Sequence, residues 1–250
     1  MRIKILHWNI WFQEKVENIL QVVKEINPDI ICFQEVTIGS KFNSKRDVAK
    51  YIATELNYNY NFSNAHKYEF PITLKGEVNY GGNAIFSRFP IIKNSNFSII
   101  NPKDSPKLKY ERRTCAVSGI RINNKTLSVA TAHKSFSSKF IEDKEKINET
   151  KKLISFFKKN PENLIFTGDL NLNPDAKSIK LIENELNHCG PDYREPTWTT
   201  KPFSFMGFEE TKLKWRLDYV FASKNIKVLD SKIIATKYSD HLPILVEIEF

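Results

Sequence analysis

The sequence predicts an α/β fold in which two mixed sheets pack together with helices on the outside. Three observations carry that reading. The chain opens on a strand-helix-strand unit over residues 3–35, helical crossovers recur further on as over residues 126–168, and a hairpin turn falls at Asn123-Asn124. Crossover helices join parallel neighbours and tight turns join antiparallel ones, so sheets of mixed direction follow.

The elements follow in order. Ile3-Lys4-Ile5-Leu6 opens an alternating strand over 3–11, and Val16, Ile19, Leu20, Val23 and Ile26 then fall at helical spacing until Asn27-Pro28 stops the helix. A second strand is expected over 29–35, a helix from Arg46 to Leu56, and strands near 58–63, 82–87 and 91–100. Gly81-Gly82 marks a tight approach or a turn. Strands at 113–122 and 126–132 flank Asn123-Asn124, a good hairpin pair. Ile147, Thr150, Ile154 and Phe157 mark one face of a Lys-rich helix over 141–159, before a buried strand at 163–168 and a helix at 176–186. Strands at 216–222, 226–235 and 243–250 close the chain.

At 250 residues this is expected to be one large domain, with 41% hydrophobic and 27% charged residues, as in ordinary globular chains. Apolar runs are short, such as Ile30-Ile31-Cys32-Phe33, so no membrane insertion is expected. Met1-Arg2 leads straight into the first strand without an apolar leader, and Cys32 and Cys115 fall inside apolar strands. A cytoplasmic, reducing location is the expectation. The net charge of +9 invites a polyanionic partner. Of the 38 basic residues 30 are lysine, which fits a simply solvated surface as well.

The strand ends carry the chemistry. Asn9, Glu35, His133, Asp169, Asn171, Asp218, Asp240 and His241 each stand where an apolar stretch runs out or, for Asp218, inside one. Singly, each has a plain structural reading: Asp169 as a turn cap, Asn9 as a turn former, either histidine as a hydrogen-bonded core residue. Together they form a set rich in oxygen donors and poor in sulfur, which favours Mg²⁺, with Mn²⁺ as a substitute, over structural zinc.

Seven motifs stand in order along the chain: His7-Trp8-Asn9-Ile10, Phe33-Gln34-Glu35-Val36, Gly82-Asn83-Ala84-Ile85-Phe86-Ser87-Arg88, Thr131-Ala132-His133, Thr167-Gly168-Asp169-Leu170-Asn171, Arg216-Leu217-Asp218-Tyr219 and Ser239-Asp240-His241. With them the sequence resembles the endonuclease/exonuclease/phosphatase superfamily of metal-dependent phosphoesterases. The resemblance implies a four-layered, DNase I-like α/β sandwich with the site at the top of the paired sheets. It implies Glu35 as the principal metal carboxylate, with Asn9 and Asp240 close to a Mg²⁺ ion. Asp169 would orient and deprotonate the attacking water. Asn171 and His241 would hold the non-bridging phosphate oxygens, His133 would reach the phosphate from the side, and Asp218 would fix His241.

The segment Pro196-Thr197-Trp198-Thr199-Thr200, followed by Arg216-Leu217-Asp218, is similar to the layout of tyrosyl-DNA phosphodiesterases, as is Arg112-Arg113 leading into the hairpin that ends at His133. That likeness implies DNA, single-stranded or end-containing, as the partner; no obligate protein partner is evident in the sequence, and a monomer is the expectation. Arg112, Arg113, Trp198, Trp215 and Ser239 become candidate substrate-binding residues. Phe203 and Phe205, interleaved with Lys201, Lys212, Lys214 and Arg216, would extend an aromatic and basic groove; packing of Trp198 and Trp215 against the sheet is the competing reading. Lys134-Ser135, Leu170, Asn173 and Leu242 depart from that branch and bear on the substrate, not on the hydrolytic centre. The expected activity is Mg²⁺-dependent phosphodiester hydrolysis at DNA ends. The alternatives are an inositol-phosphate or sphingomyelin-type phosphatase or phospholipase, and a catalytically silent polyanion-binding module.

Overall fold

Two parallel β-α-β crossovers set the architecture of the computed structural model, which describes residues 1–68, 79–100, 112–205 and 207–250. The first runs through β1 (Arg2–Asn9), α1 (Val16–Ile26) and β2 (Ile30–Ile38), the second through β8 (Lys125–His133), α3 (Lys144–Lys159) and β9 (Leu164–Asp169). Between them lie α2 (Val48–Leu56), β3 (Asn59–Tyr68), β4 (Asn79–Ser87), β5 (Ile91–Asn94), β6 (Phe97–Ser98) and β7 (Thr114–Ile122). After them come α4 (Lys177–Glu183), β10 (Asn187–His188), β11 (Phe203–Phe205), β12 (Phe208–Glu210), β13 (Asp218–Ala222), β14 (Lys227–Ile233) and β15 (Ile244–Glu249). One sheet has the order β14-β15-β1-β2-β4-β3; the other runs β10-β13-β9-β8-β7-β5, with β6 also on β7.

Alternation along the strands builds the layers. Ile3 and Ile5 of β1 and Ile30 and Cys32 of β2 point between the sheets, where they meet Val129, Ile165 and Val220 of the second sheet. Leu6, Trp8, Ile31 and Phe33 point the other way, onto Ile19 and Val23 of α1 and Ile52 of α2. On the far side Ala130, Phe166 and Phe221 receive Leu153 and Phe157 of α3 and Ile179 of α4. The result is the expected four-layered α/β-β/α sandwich. Its central strands are buried on both faces, which is why they read as nearly continuous apolar runs.

Several expectations change in detail. The strand expected over 91–100 is two short pieces, β5 and β6. The β11–β12 hairpin and β10 went unforeseen, being only two or three residues per strand. The buried face of α3 is Lys146, Glu149, Thr150, Leu153 and Phe157, so Ile147 and Ile154 do not lead it. Cys189 joins Cys32 and Cys115 as a buried free thiol. Among the described residues no helix is long and apolar enough to cross a membrane.

The Gly81-Gly82 pair is a close approach within β4 and not a turn. Gly82 lies opposite Val36 of β2 and Asn64 of β3, and a Cβ there would stand 2.1 Å from the Ser63 carbonyl oxygen. Gly82→Ala is therefore expected to force the backbones apart and lower stability by about 1–3 kcal/mol or more, as overpacking does. A shift of the urea midpoint at unchanged slope is the readout.

Candidate active site

Register brings the site together. The β1–β2 pairing sets Asn9 beside Gln34, β8–β9 sets His133 beside Asp169, and β9–β13 sets Asp169 beside Asp218. The segment Ser239-Asp240-His241 arrives just ahead of β15. Half of the candidates therefore ride on one sheet and half on the other.

Glu35 reaches the site through a bulge. The β2–β4 register slips between Phe33 and Val36, and Glu35 takes a left-handed φ of 57°. An extra residue in one strand re-aims a side chain and tightens the local twist. Glu35 thus leaves the ladder, while Gln34 turns between the sheets and donates to the Thr131 hydroxyl at 2.7 Å. Thr167 donates to the same hydroxyl at 2.8 Å, so a buried polar rung crosses the seam just beneath the site.

Asn9 crosses the same seam at the level of the chemistry. Its amide donates to Glu35 Oε1 at 3.1 Å and to Asp169 Oδ2 at 3.0 Å. Its carbonyl oxygen accepts the Trp11 N–H at 3.1 Å, and the Phe12 N–H donates to Glu35 Oε2 at 3.0 Å. Asp169 Oδ1 accepts the Asn171 N–H at 3.0 Å, and Oδ2 lies 3.3 Å from His133 Nε2 and 3.6 Å from His241 Nε2. Asn171, with φ 50°, places its amide 3.0 Å from His133 Nε2 and donates to the Lys134 carbonyl at 3.0 Å.

Asp218 is fully buried between two imidazoles, with Oδ1 2.9 Å from His7 Nε2 and Oδ2 2.8 Å from His241 Nδ1. His7 was not foreseen as a site member. A histidine two residues before Asn9 in an apolar strand is the signal that could have found it.

The electrostatics follow from burial and these contacts. Burial pulls the His241 imidazole down, but Asp218, Asp169 and Asp240 outweigh it and hold the ring well above its ordinary range, as an imidazolium. Burial pushes Asp218 up and loses to His241 and His7, which keep it well below the usual carboxylate range. Asp169 is pushed up to about 6, by burial first, with the His241 charge opposing and Asp218 adding. Glu35 is raised by burial and then by the Asp240 carboxylate beside it.

That last pair is where a cation fits. Glu35 and Asp240 are largely buried carboxylates whose mutual repulsion raises Glu35, and the Asn9 amide, the Phe12 N–H and the Trp198 indole that donate to them are neutral. Asp169, Asp218 and His241 also have ligand atoms within 4.8 Å of one another. Asp218 already spends both oxygens on histidines, however, so Glu35, Asp240 and the Asn9 side, where oxygen donors predominate, are the groups that could hold a hard cation.

The structure redistributes the candidate substrate-binding residues. Trp198 is only 3% exposed, packed on Phe140, Phe203 and Phe208, and its indole N–H donates to Asp240 Oδ2 at 3.0 Å. It orients a carboxylate and offers no stacking face. Ser239 is fully buried, donating to the Asn9 carbonyl at 2.7 Å and accepting the His241 N–H at 3.1 Å, so it shapes the loop and does not meet substrate. Arg216 is also buried, its guanidinium given to the carbonyls of Asp218, Asp192, Glu195 and Pro191. Trp215 is half-buried on Phe140, with its N–H on Glu210 at 2.8 Å. Arg113, 8% exposed, lines a cleft with Glu35, Ala65, Gly82, Asn83 and His133. Arg112 is exposed; Lys107 and Lys109, which stand shortly before it in the sequence and read there as a nucleic-acid track or a solvated loop, lie outside the described residues.

Comparison with known proteins gives a consistent picture. The model of the Endonuclease/Exonuclease/phosphatase family matches residues 6–241. No curated protein sequence gives a significant match. Among solved structures, an endonuclease/exonuclease/phosphatase from Beutenbergia cavernae DSM 12333 superposes with a TM-score of 0.78 at 17% identity, over 99% of this chain and 71% of that one. The human Nocturnin catalytic domain with bound sulfate gives 0.71 at 17% identity, over 100% and 93%. D. rerio TDP2 complexed with single-strand DNA product gives 0.70 at 15% identity, over 100% and 99%. At these identities the likeness is one of fold.

Proposed function

Because this chain belongs to the endonuclease/exonuclease/phosphatase family, whose members are hydrolases acting on phosphoester bonds, we propose that it is a Mg²⁺-dependent phosphodiesterase acting on nucleic-acid ends. The observation that carries this reading is the position of Asp169. Its Oδ2 has the Asn9 amide, His133 and His241 around it, and its Oδ1 accepts the Asn171 N–H.

Asp169 is the general base. It takes a proton from water, the resulting hydroxide attacks phosphorus in line, and the bond to the leaving oxygen breaks. A base poised near 6 combines adequate basicity with ionisation at neutral pH. His241, held as imidazolium by Asp218, faces the charge that builds on the non-bridging oxygens, and the Asn171 amide adds a neutral donor there. Asn9 keeps the base and Glu35 in register across the two sheets. Glu35 and Asp240 would hold the Mg²⁺, which when bound polarises the phosphoryl group and stabilises the leaving oxyanion.

The net charge of +9 suits a polyanion of either class; one local feature favours nucleic acid over lipid or inositol phosphates. At the lip beside Glu35, Lys201 Nζ lies 5.3 Å from the Trp11 ring, Lys41 Nζ lies 5.4 Å from the Phe42 ring, and the Phe42 and Phe12 rings meet edge-on. The backbone of that lip is tied to the site by the Trp11 and Phe12 N–H groups. Aromatic faces and lysines so interleaved suit a single strand.

The test is hydrolysis, with Mg²⁺ or with EDTA, of 5′-tyrosyl oligonucleotide, plain single- and double-stranded DNA, sphingomyelin and inositol phosphates. Mg²⁺-dependent turnover of the DNA substrates, falling steeply with salt, is expected. Turnover confined to lipid or inositol phosphates would move the assignment to that class, and binding without turnover would leave a silent polyanion binder. Trp11→Ala is expected to raise KM for oligonucleotides by about 5- to 150-fold, since stacking contributes about 1–3 kcal/mol per base.

A further inference from the structure

Helix α3 buries two charged residues behind the phosphate side of the site. Lys146 and Glu149 are 0% and 1% exposed, on a helix whose other lysines give no reason to expect an interior one. Lys134, which follows His133, is also 0% exposed and donates to the Thr150 hydroxyl at 2.6 Å; Thr150 in turn donates to the Lys146 carbonyl at 2.9 Å. Taking an ammonium out of water costs several kcal/mol, so an interior lysine must be held by something it does.

The Lys146 ammonium donates to the main-chain carbonyl of Asn171. Asn171 is the residue whose N–H meets the base Asp169 and whose amide faces His133. Asn171 lies two residues beyond β9 with a left-handed φ of 50°, and its carbonyl meets the buried Lys146 ammonium in the protein interior. A buried carbonyl needs a donor. Asn171 is thus gripped at three points: its carbonyl by Lys146, its side chain by the Lys134 carbonyl, its N–H by Asp169.

We propose that Lys146 is a positioning residue, whose buried ammonium pins the Asn171 backbone and so aims the Asn171 amide at the substrate phosphate. The proposal rests on the phosphoesterase reading given above. Burial draws Lys146 down to about 8, with the Glu149 charge opposing, so the ammonium form predominates at neutral pH.

The test is a double-mutant cycle on the full chain with Mg²⁺ and bis(p-nitrophenyl) phosphate, comparing wild type, Lys146→Met, Asn171→Ala and the double variant. Lys146→Met is expected to lower kcat by about 10²-fold, the cost of a misplacement of about 1 Å, with KM within about twofold. Lys146→Arg is expected to restore most of kcat. On the Asn171→Ala background, Lys146→Met is expected to lower kcat by less than about threefold, because the group it aims is gone. A second readout needs neither metal nor turnover: the Asn171 side-chain amide resonance should move in Lys146→Met and return in Lys146→Arg. If Lys146→Met does not fold, the same cycle is run with Lys146→Gln. Unchanged kcat in the single variant, or equal losses on both backgrounds, overturns the proposal. A wild-type protein that cleaves no phosphoester overturns the functional reading instead, and the amide resonance still tests the contact.

Discussion

Asp169→Asn is expected to leave a folded protein that hydrolyses phosphoesters about 10²–10⁴-fold more slowly than wild type, the usual worth of a positioned base. The substitution changes little volume. It removes a buried negative charge that burial already disfavours, and it forfeits one acceptor for the Asn9 and Asn171 donors. These two effects oppose each other, so the melting temperature should move little while turnover collapses. The pH profile gives a second check. With Asp169 pushed up to about 6, kcat/KM should rise with pH through that region as the carboxylate forms, and a bound cation should draw the limb lower. The limb should vanish in Asp169→Asn. Near wild-type turnover in this variant would remove Asp169 from the role of base.

Asp218→Ala is expected to cost both activity and stability. One carboxylate answers two buried imidazoles, so its loss leaves His241 without the group that orients it and keeps it charged. Removing one partner of a buried pair typically costs about 3–5 kcal/mol. Turnover should fall by at least about 10²-fold, because the His241 donor no longer meets the phosphate in a fixed pose. The pH dependence has a definite sign. Asp218 is depressed in the folded state, so its stabilisation is present above about pH 4 and is lost as pH falls through the folded value. His241 is raised, so its share is complete below about pH 6.5 and is lost as pH rises through its elevated folded value. Urea titrations of wild type and Asp218→Ala at pH 5, 7 and 9 read the His241 limb, and a further point near pH 3 reads the Asp218 limb. Equal stabilities would argue against the clamp.

Much of this architecture was legible because periodicity and strand-end chemistry are local signals. The spacing of Val16, Ile19, Leu20, Val23 and Ile26 gives α1, and alternation in Ile3–Leu6 gives β1. The eight polar residues at strand ends could be nominated because an acidic or amide side chain at an apolar boundary stands out. What they bond to could not. The bulge that frees Glu35 depends on pairing with a strand some fifty residues away, and nothing in Phe33-Gln34-Glu35-Val36 announces it. Trp198 and Arg216 read as groove residues because their types suit nucleic acid, yet burial assigns them to packing and loop anchoring. Lys146 was lost among its neighbours on α3, since one buried lysine in a lysine-rich helix carries no local mark.

The polar rung of Gln34, Thr131 and Thr167 has a mechanical consequence. The proposed base and the proposed cation ligands are fastened to different slabs, so the distance between them is only as constant as the slip plane they share. Substitutions deep in the apolar filling, far from any reacting atom, should therefore detune turnover before they threaten the fold.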